Sequence, residues 1–312
     1  MGNSLLRLCE ASKGSEAIEA LGLGRDQAPL DKSEQFRSAV AQAIESFKPS
    51  HIVNAAAYNA VDQAEKEPEL AHRVNGEALA DLSKLAAHAP ARGENPLAIV
   101  HYSTDYVFDG QKPKGQAYAP FDPIAPEGVY GQSKLAGEQA LAQGSSPSLV
   151  LRTSWVFSAH GKNFVKTMLR LAQTQPQLRV VNDQWGAPTS AHAIARATLA
   201  IVRQWPINGS RGVPHEVFHL CCEGQTNWHA FACEIIERSR RIAPQLNWTI
   251  TSKDMIQAIG SQEFAAPAPR PANSHLDCSL TDQTFSLTRP HWSNALDEVL
   301  SQLLLKPQDK AS

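Results

Sequence analysis

The chain has 312 residues, a formal net charge of −2 and a sequence pI of about 6.6. Hydrophobic residues make up 42% and charged residues 19%, a composition typical of globular enzymes without the basic surface that nucleic acids or membranes attract. No apolar run approaches the ~18 residues that a membrane-spanning helix needs, and the first residues lack a secretory signal. Five cysteines without a CxxC spacing predict free thiols and a cytoplasmic protein.

Short apolar runs alternate along the chain with stretches whose apolar residues have helical spacing. Strands that alternate with helices predict a parallel sheet with right-handed crossovers. In chain order, the sequence predicts a helix over 33–47, a strand over 51–57, a helix over 65–89, a strand over 97–103, a loop over 105–128, a helix over 129–142 and a strand over 149–153.

After residue 182 prolines become frequent and the alternation becomes less regular. We therefore predict an α/β protein with a Rossmann-type, doubly wound parallel sheet and a smaller C-terminal substrate-binding lobe. The dinucleotide-binding domain is assigned to residues 1–182. The lobe is assigned mainly to residues 183–312, from which segments can return to the first domain.

Polar residues follow three of the predicted strands: Asn54, Thr104 with its neighbours, and Arg152 to Trp155. Ligands of parallel sheets bind outside the carboxyl ends of the strands, so these residues are predicted to converge on one crevice. Thr104 is suited to donate a hydrogen bond to a carbonyl oxygen that gains charge, although threonine at a strand end is more often a turn residue. The small residues after Asn54 suit either a planar cofactor or a tight strand-to-helix crossing.

Tyr130 and Lys134 are four residues apart on the predicted helix over 129–142 and therefore share one face. A tyrosine side chain has an ordinary pKa near ~10, and a neighbouring ammonium lowers it. That pairing is suited to general acid–base catalysis. The spacing alone is equally typical of a surface tyrosine and lysine on an amphipathic helix.

Longer strings around these residues resemble the dTDP-4-dehydrorhamnose reductase family of extended short-chain dehydrogenases/reductases. They occur in the order found in that family, from near the start of the chain to near its end. The matching strings are VNAAAYNAVDQAE (53–65), HYSTDYVFDG (101–110), VYGQSKLAGE (129–138), LRTSWVF (151–157), NFVKTMLRLA (163–172), VVNDQWGAPTS (180–190) and RPANSHLDCS (270–279).

The resemblance implies hydride transfer from NADPH or NADH to C4 of a dTDP-4-keto sugar, producing dTDP-L-rhamnose for cell-surface polysaccharide. Tyr130 would protonate the new alkoxide, and Lys134 would lower the tyrosine pKa and hold the nicotinamide ribose. Thr104 would complete the catalytic triad. The candidates for further cofactor contacts are Asn54, Ala55, Ala56 and Ser103.

The resemblance also implies residues for the sugar nucleotide. Asp105 and Tyr106 would line the sugar end, and Trp155 would pack against the substrate unless it is a plain core residue. Gln184 lies in the string that resembles the sugar-nucleotide segment of the family. Arg270 would contact the nucleotide or close the smaller lobe, or else form an ordinary surface salt bridge.

A homodimer and a bound Mg²⁺ are implied by the resemblance alone, and no metal ligand is assigned from the sequence. The histidines show no convincing metal-ligand spacing. The predicted partners are the dTDP-sugar and, by the same resemblance, a second copy of the chain. No nucleic acid and no membrane are expected.

The N-terminus departs from the family pattern, which begins with a strand and a glycine-rich GxxGQxG turn that holds the cofactor pyrophosphate. Here Gly2 matches the last glycine of that turn, so the first domain is expected to be N-terminally incomplete and Gly2 to contact the cofactor. Three explanations are open: a start codon assigned too far downstream, a truncated chain, or lost catalysis. The intact triad favours the first.

The second strand of the sheet is predicted over residues 20–25, and Asp31 follows it. An arginine after this strand can pair with a 2′-phosphate, so Arg25 favours NADPH over NADH. The alternative is a solvated loop arginine. Asp31 is the second candidate for a cofactor contact in this part of the chain.

Two other functions compete with reduction of the keto sugar. The incomplete phosphate loop suits a non-catalytic regulatory or binding relative on the same fold. Another sugar-nucleotide enzyme, such as an epimerase or dehydratase, shares the Tyr–Lys pair. Dehydratases need an additional acid–base pair beside the triad threonine, and here Asp105 follows Thr104 with no glutamate after it, which disfavours that reaction.

Overall fold

The computed structural model describes residues 1–14, 17–90, 96–205 and 215–305. Helices and strands alternate through the first two thirds of the chain. Its elements are α1 (Gly2–Ala11), α2 (Ser33–Phe47), β1 (His51–Asn54), α3 (Val61–Ala64), α4 (Pro68–His72), a π-helical segment (Arg73–Glu77), α5 (Ala78–Ala87), β2 (Ala98–Thr104), a 3-10 turn (Asp105–Val107), α6 (Val129–Ala142), β3 (Ser148–Thr153), β4 (Val156–Phe157), α7 (Phe164–Thr174), β5 (Leu178–Val181), β6 (Trp185–Gly186), β7 (Thr189–Ser190), α8 (Ala191–Val202), β8 (His215–His219), β9 (Thr226–Asn227), α9 (Trp228–Ile242), a second 3-10 turn (Lys253–Met255), β10 (Ile256–Ile259), α10 (Ser261–Phe264), α11 (Ser279–Phe285) and α12 (Trp292–Leu304).

Within the described ranges, a parallel sheet has the strand order β1-β2-β3-β8. All residues of β2 and β3 are buried, as expected for central strands covered on both faces. Side chains of β2 alternate between the faces, so Val100 packs with α1 and α8 whereas Ile99 packs with α2, α5 and α6. The predicted doubly wound, Rossmann-type sheet is thus confirmed.

A second core lies outside this sheet. Helices α7, α9 and α12 pack around the short parallel pair β5–β10, with Phe231 and Leu296 fully buried between them. Helix α7 and β5 precede residue 182 but belong to this second core. Helix α8 and β8 follow residue 182 but pack with the sheet. The chain therefore crosses between the two cores more than once.

Two predicted elements differ from the observed ones. The predicted helix over 65–89 is divided into α4, the π-helical segment and α5, and Pro68 begins α4 at a position where its missing N–H costs no hydrogen bond. The strand predicted over residues 20–25 is wrong, because that segment has no regular structure. A strand needs a hydrogen-bonded neighbour, and the described sheet provides none for it.

Helix α6 lies unusually close to neighbouring backbone through its glycines. A Cβ atom on Gly131 would overlap the carbonyl oxygen of Tyr106, and one on Gly137 would overlap that of Asn75. At its start, the backbone N–H of Val129 donates to the Glu65 carboxylate at 2.9 Å, which caps the helix from a distant part of the chain. Helix α6 is therefore fixed against the turn after β2, the π-helical segment and the end of α3.

A buried ion pair joins α6 to the sheet. Arg152 of β3 and Glu138 of α6 meet at 2.6 Å (Nη2–Oε2) and 3.0 Å (Nε–Oε1), with side-chain exposures of only 2% and 5%. Ser103 donates to Glu138 Oε1 at 2.5 Å, and Arg152 Nη1 donates to the carbonyl of Pro120 at 3.0 Å. Because both charges are paired and hydrogen-bonded, the burial is tolerated.

Among the described helices, none is long and apolar enough to cross a membrane. The five cysteines are free thiols, of which four are buried and Cys233 is partly exposed.

The ion pair generates a stability prediction. Arg152→Met leaves the Glu138 carboxylate buried without its partner, so we expect a loss of about 3–5 kcal/mol in the free energy of unfolding. The double variant Arg152→Met/Glu138→Leu removes both charges and should regain most of that loss. Urea unfolding of the three proteins measures both effects. If the free energy of unfolding of Arg152→Met lies within about 1 kcal/mol of the wild-type value, Glu138 does not depend on Arg152 as its buried partner.

Candidate active site

The site lies where β1 and β2 end and α6 begins. Thr104 is the last residue of β2, and its hydroxyl donates to Asp105 Oδ1 at 2.9 Å while accepting the backbone N–H of Tyr106 at 3.2 Å. This turn stops the strand and directs the following residues across the carboxyl end of the sheet. Tyr106 then packs its ring edge-on against Tyr130, with centroids 5.5 Å apart.

Tyr130 in the first turn of α6 is partly buried beside Thr104. Burial raises the pKa of the Tyr130 hydroxyl well above its ordinary value, whereas the hydrogen bond with Thr104 lowers it. The negative charge of the Asp105 carboxylate reinforces the upward shift of this pKa. In this arrangement the tyrosine is held in its protonated form, the form that can donate a proton.

Lys134 is buried one turn further along α6, with 2% of the residue exposed. Its Nζ donates to the carbonyl oxygen of Tyr102 at 2.6 Å and lies 3.0 Å from Nε2 of His101. Burial lowers the pKa of Lys134 to about 7, and the charge of Glu138 opposes that shift. The lysine can therefore exchange a proton near neutral pH.

His101 is a site residue that the sequence interpretation did not single out. It is fully buried on β2 and is the direct ladder partner of Asn54 on β1. The Nδ2 atom of Asn54 lies 3.0 Å from Nδ1 of His101, and its Oδ1 accepts the backbone N–H of Ala56 at 3.2 Å. The available signal was positional, because Asn54 ends β1 and its register partner on β2 lies three residues before Thr104.

Only some of the residues predicted to contact the cofactor lie close together at the strand ends. A Cβ on Gly2 would lie 3.9 Å from Cβ of Ala55, so the start of α1 meets the end of β1 beside Asn54 and Ala56. The Ser103 hydroxyl is instead directed to Glu138. Neither Arg25 nor Asp31 has a hydrogen bond or ion pair to the triad in the described part of the chain. These two residues pair with each other at 3.5 Å, and the Arg25 side chain is 82% exposed.

Arg270 joins the C-terminal part of the chain to this site. Its Nη1 donates to the hydroxyl of Tyr106 at 3.3 Å, and its Nη2 donates to Asp62 Oδ1 at 2.7 Å. The same Asp62 oxygen accepts the backbone N–H of Ala268 at 3.2 Å. Arg270 thus lies beside the predicted sugar end, next to the Tyr106–Tyr130 contact.

Trp155 follows β3 with a left-handed backbone conformation, φ +48°. This conformation is costly for a bulky residue and is kept only where its surroundings demand it. The ring stacks on Trp228 with centroids 3.6 Å apart, and a Cβ on Gly186 would lie 2.7 Å from Trp155 Cε2. Trp228, which the sequence interpretation did not select, therefore fixes the Trp155 ring from the second core.

Gln184 is 7% exposed, and its Nε2 donates to Ser261 Oγ at 2.9 Å. This bond ties the segment before β6 to α10 within the second core. The side-chain amide nitrogen of Gln184 therefore bonds to another segment of the protein.

Asp105 is almost completely buried, and burial raises the pKa of its carboxyl group to about 6. The Ser274 hydroxyl lies beside this carboxyl group, but neither Asp105 Oδ2 nor Ser274 Oγ has a hydrogen bond of good geometry, and both atoms are enclosed. The Ser274 and Thr104 hydroxyls lower this pKa, but burial outweighs them.

In the described ranges, no group of three or more His, Cys, Asp or Glu residues is arranged to hold a metal ion.

Comparisons with known proteins connect this geometry to an enzyme family. The family described as RmlD substrate binding domain matches residues 2–305. The chain is 38% identical over 308 residues to a dTDP-4-dehydrorhamnose reductase of Sinorhizobium fredii, covering 98% of this chain and 97% of that protein. It is 39% identical to the reductase of Burkholderia thailandensis, covering 92% and 91%. The crystal structure of a Bacillus anthracis dTDP-4-dehydrorhamnose reductase in complex with NADP has a TM-score of 0.77 and 26% identity, covering 96% of this chain and 95% of that one.

The buried carboxyl group of Asp105 predicts a pH-dependent stability. Its pKa is about 6 in the folded protein and near ~3.8 when unfolded, so the unfolded chain loses this proton first as pH rises. Stability from this group is therefore greatest below pH ~4 and falls between pH ~4 and ~6. Asp105→Asn removes the ionisable group and therefore this pH dependence. The free energy of unfolding of the variant minus that of wild type should increase by up to about 3 kcal/mol between pH ~4 and ~6.

Urea unfolding of both proteins from pH 4 to pH 7.5 measures this difference. Asp254, an exposed aspartate of the second 3-10 turn, provides a matched control through Asp254→Asn. Parallel pH profiles for wild type and Asp105→Asn would show that the carboxyl group is not perturbed in this way.

Proposed function

The chain belongs to the RmlD family of dTDP-4-dehydrorhamnose reductases, and we propose that it reduces the C4 keto group of dTDP-4-dehydro-β-L-rhamnose to give dTDP-L-rhamnose. The observation that carries this proposal is the position of the protonated Tyr130 hydroxyl. It lies beside Thr104 at the carboxyl end of β2, with Lys134 on the next turn of α6. An acid at this position is what a newly formed C4 alkoxide needs.

The residues at the strand ends fit a nicotinamide dinucleotide. The small residues Gly2 and Ala55 leave the backbone accessible to the cofactor where α1 meets β1. The hydroxyl of Tyr130 and the amine of Lys134 are polar groups suited to bind its ribose. A reduced nicotinamide, when bound, supplies the hydride. We propose NADPH as the cofactor, because the Bacillus anthracis relative was crystallised with NADP. Arg25 as the contact for a 2′-phosphate stays a prediction.

Tyr130 then delivers the proton. As hydride reached C4, negative charge would develop on the former carbonyl oxygen, and the Thr104 hydroxyl would stabilise it by donating to that oxygen instead of to Asp105. Tyr130 gives its hydroxyl proton to this oxygen, so one C–H bond and one O–H bond are formed. The protonated state favoured by burial suits this direction of transfer. Lys134 as an ammonium would stabilise the resulting phenolate.

The sugar nucleotide is proposed to lie between the strand ends and the second core. Tyr106 and the neighbouring Arg270 would border the sugar, with Asp105 as a polar contact beneath it. Trp155, fixed by Trp228, offers an aromatic face to the substrate. Gln184 would contribute by holding the segment that precedes β6 in place, because its amide nitrogen is bonded to Ser261.

We also propose that the reaction takes place in the cytoplasm, on the grounds of the free cysteines and of the reaction itself. Pairing of two copies into a homodimer and binding of Mg²⁺ are suggested by the family resemblance and stay predictions.

The role of Tyr130 is tested by Tyr130→Phe, which removes only the hydroxyl. We expect kcat for NADPH oxidation with the dTDP-4-keto sugar to fall by about 10²–10⁴-fold, while the Kd for NADPH changes little. Stopped-flow absorbance at the reduced nicotinamide band and fluorescence titration measure the two quantities.

The matched control is Tyr102→Phe, which removes the hydroxyl of another buried tyrosine that bonds Thr198 at 2.7 Å on the opposite face of the sheet. This variant should keep kcat within a few-fold of wild type. A wild-type protein without turnover, or full activity of Tyr130→Phe, would refute the proposed reaction.

The contact between Gly186 and Trp155 predicts a separate effect on substrate binding. Gly186→Ala places a methyl group against the indole and must displace the ring from its stack on Trp228. We expect KM for the sugar nucleotide to rise by about tenfold, with the Kd for NADPH unchanged. Gly24→Ala, whose added methyl meets nothing closer than 3.8 Å, is the control. If Gly186→Ala and Gly24→Ala have equal KM values for the sugar nucleotide, Trp155 does not contact the substrate.

A further inference from the structure

The first turn of α6 depends on a carboxylate from outside the helix. Its N-cap is Gly128, which has no side chain that could accept a hydrogen bond from the exposed N–H groups of that turn. Glu65 supplies an acceptor, because its Oε1 atom accepts the backbone N–H of Val129 at 2.9 Å. A Cβ on residue 128 would lie 2.9 Å from the same oxygen, so glycine makes room for the carboxylate. The residue after Val129 is Tyr130, the proposed proton donor.

A second contact fixes the same turn. A Cβ on Gly131 would overlap the carbonyl oxygen of Tyr106, so the helix and that carbonyl group touch directly. The backbone on either side of Tyr130 is therefore held, by Glu65 before it and by the Tyr106 carbonyl after it. Such restraint matters for an acid that must reach a developing alkoxide, since a displacement of about 1 Å can cost about 10²-fold in rate.

The segment that carries Glu65 also holds the arginine beside the predicted sugar end. Asp62 lies on α3, just before Glu65, and its Oδ1 atom accepts Nη2 of Arg270 at 2.7 Å and the backbone N–H of Ala268 at 3.2 Å. Nη1 of Arg270 in turn donates to the hydroxyl of Tyr106 at 3.3 Å. One short segment therefore binds both the start of α6 and the part of the chain that borders the crevice.

We infer that residues 62–65 form a clamp on the proposed active site, in which Glu65 positions Tyr130 by capping α6 and Asp62 positions Arg270 beside the sugar. This inference rests on the proposed function, in which Tyr130 protonates the C4 oxygen. Each carboxylate acts through the residue that it holds. Loss of the cap therefore lowers the rate of proton transfer, whereas release of Arg270 weakens binding of the sugar nucleotide.

The cap is tested first without substrate, by hydrogen exchange at the Val129 amide. As the first residue of α6, Val129 has no acceptor within the helix, so protection of its amide reports on Glu65. In protein labelled with ¹⁵N-valine, the Val129 signal is identified by its absence in Val129→Ile. We expect exchange to accelerate about tenfold or more in Glu65→Ala but less than about threefold in Glu65→Gln, whose amide oxygen remains an acceptor. Equal exchange rates in wild type and Glu65→Ala overturn the inference.

The kinetic role of Glu65 is tested by comparing kcat with KM. In Glu65→Ala we expect kcat for NADPH oxidation to fall about tenfold or more, because the acid is displaced, while KM for the keto sugar changes less than about twofold. Glu65→Gln keeps the acceptor and should keep kcat within about threefold of wild type. An equal fall of kcat in Glu65→Gln and Glu65→Ala would show that the effect does not come from the cap.

A cap supplied by the helix itself separates the position of α6 from the side chain of Glu65. Serine is a preferred N-cap residue, and the extended backbone of Gly128 (φ −117°, ψ 164°) suits it. Once the Glu65 carboxylate is removed, the nearest atoms to the added Cβ belong to Pro269 at 3.4 Å, an ordinary contact. The double variant Glu65→Ala/Gly128→Ser should therefore have a kcat about threefold or more above that of Glu65→Ala. Unrecovered kcat would overturn the role of Glu65 as a positioning residue.

Asp62 should give the complementary result. Asp62→Ala releases Arg270, so we expect KM for the keto sugar to rise about fivefold or more and kcat to stay within about twofold of wild type. Asp62→Asn retains the Oδ1 acceptor and should leave both quantities near their wild-type values. A fall of kcat with an unchanged KM in Asp62→Ala would contradict the assignment of Asp62 to substrate binding through Arg270.

Asn163→Ala is the matched control for loss of a helix cap. Asn163 caps α7 in the second core, where its Oδ1 atom accepts the backbone N–H of Lys166 at 3.3 Å. This variant should lower the urea midpoint about as much as Glu65→Ala while keeping kcat within about twofold of wild type. An equal loss of kcat in both variants would show a general effect of destabilisation and overturn the inference. Absence of turnover in wild type would refute the proposed function instead, and exchange at Val129 would still decide whether Glu65 caps α6.

Discussion

The close approach of α6 to the sheet is the constraint on which the site depends. Glycines at 131 and 137 let the helix touch neighbouring carbonyl oxygens, and the buried pair of Arg152 and Glu138 joins it to β3. Either contact alone would leave the helix free to rotate or slide. Together they fix the first two turns, so that Tyr130 lies beside Thr104 and the amine beyond it is enclosed by the sheet.

Burial changes the pKa values of Tyr130 and Lys134. In water, the side chains of lysine and tyrosine both have pKa values near ~10, so that at neutral pH the lysine is an ammonium and the tyrosine a neutral phenol. Here burial lowers the pKa of Lys134 to about 7 and raises that of Tyr130, so that the buried groups favour their neutral forms. The imidazole of His101 lies between Lys134 and Asn54 and continues the buried polar contacts of the site into the core.

The C-terminal third of the chain contributes to the same crevice through two connections. Arg270 bridges Asp62 and Tyr106, and Trp228 supports the strained backbone of Trp155 by stacking on its ring. Because the chain crosses between the two cores more than once, these connections do not depend on a single hinge. A site enclosed in this way can exclude water around the hydride acceptor.

Periodicity and residue spacing by themselves determined the alternating strands and helices, the convergence of strand ends and the position of Tyr130 and Lys134 one turn apart on α6, because these properties are local or follow from parallel topology. The tertiary structure alone decided what surrounds them. The strand predicted over residues 20–25 did not form, since β structure requires a neighbour that no local pattern can supply. The diversion of the Ser103 hydroxyl to Glu138 and the placement of His101 beside the lysine likewise depend on groups 33 to 47 residues apart, which only folding brings into contact. The direction of each pKa shift depends on burial, which is also a property of the folded chain alone.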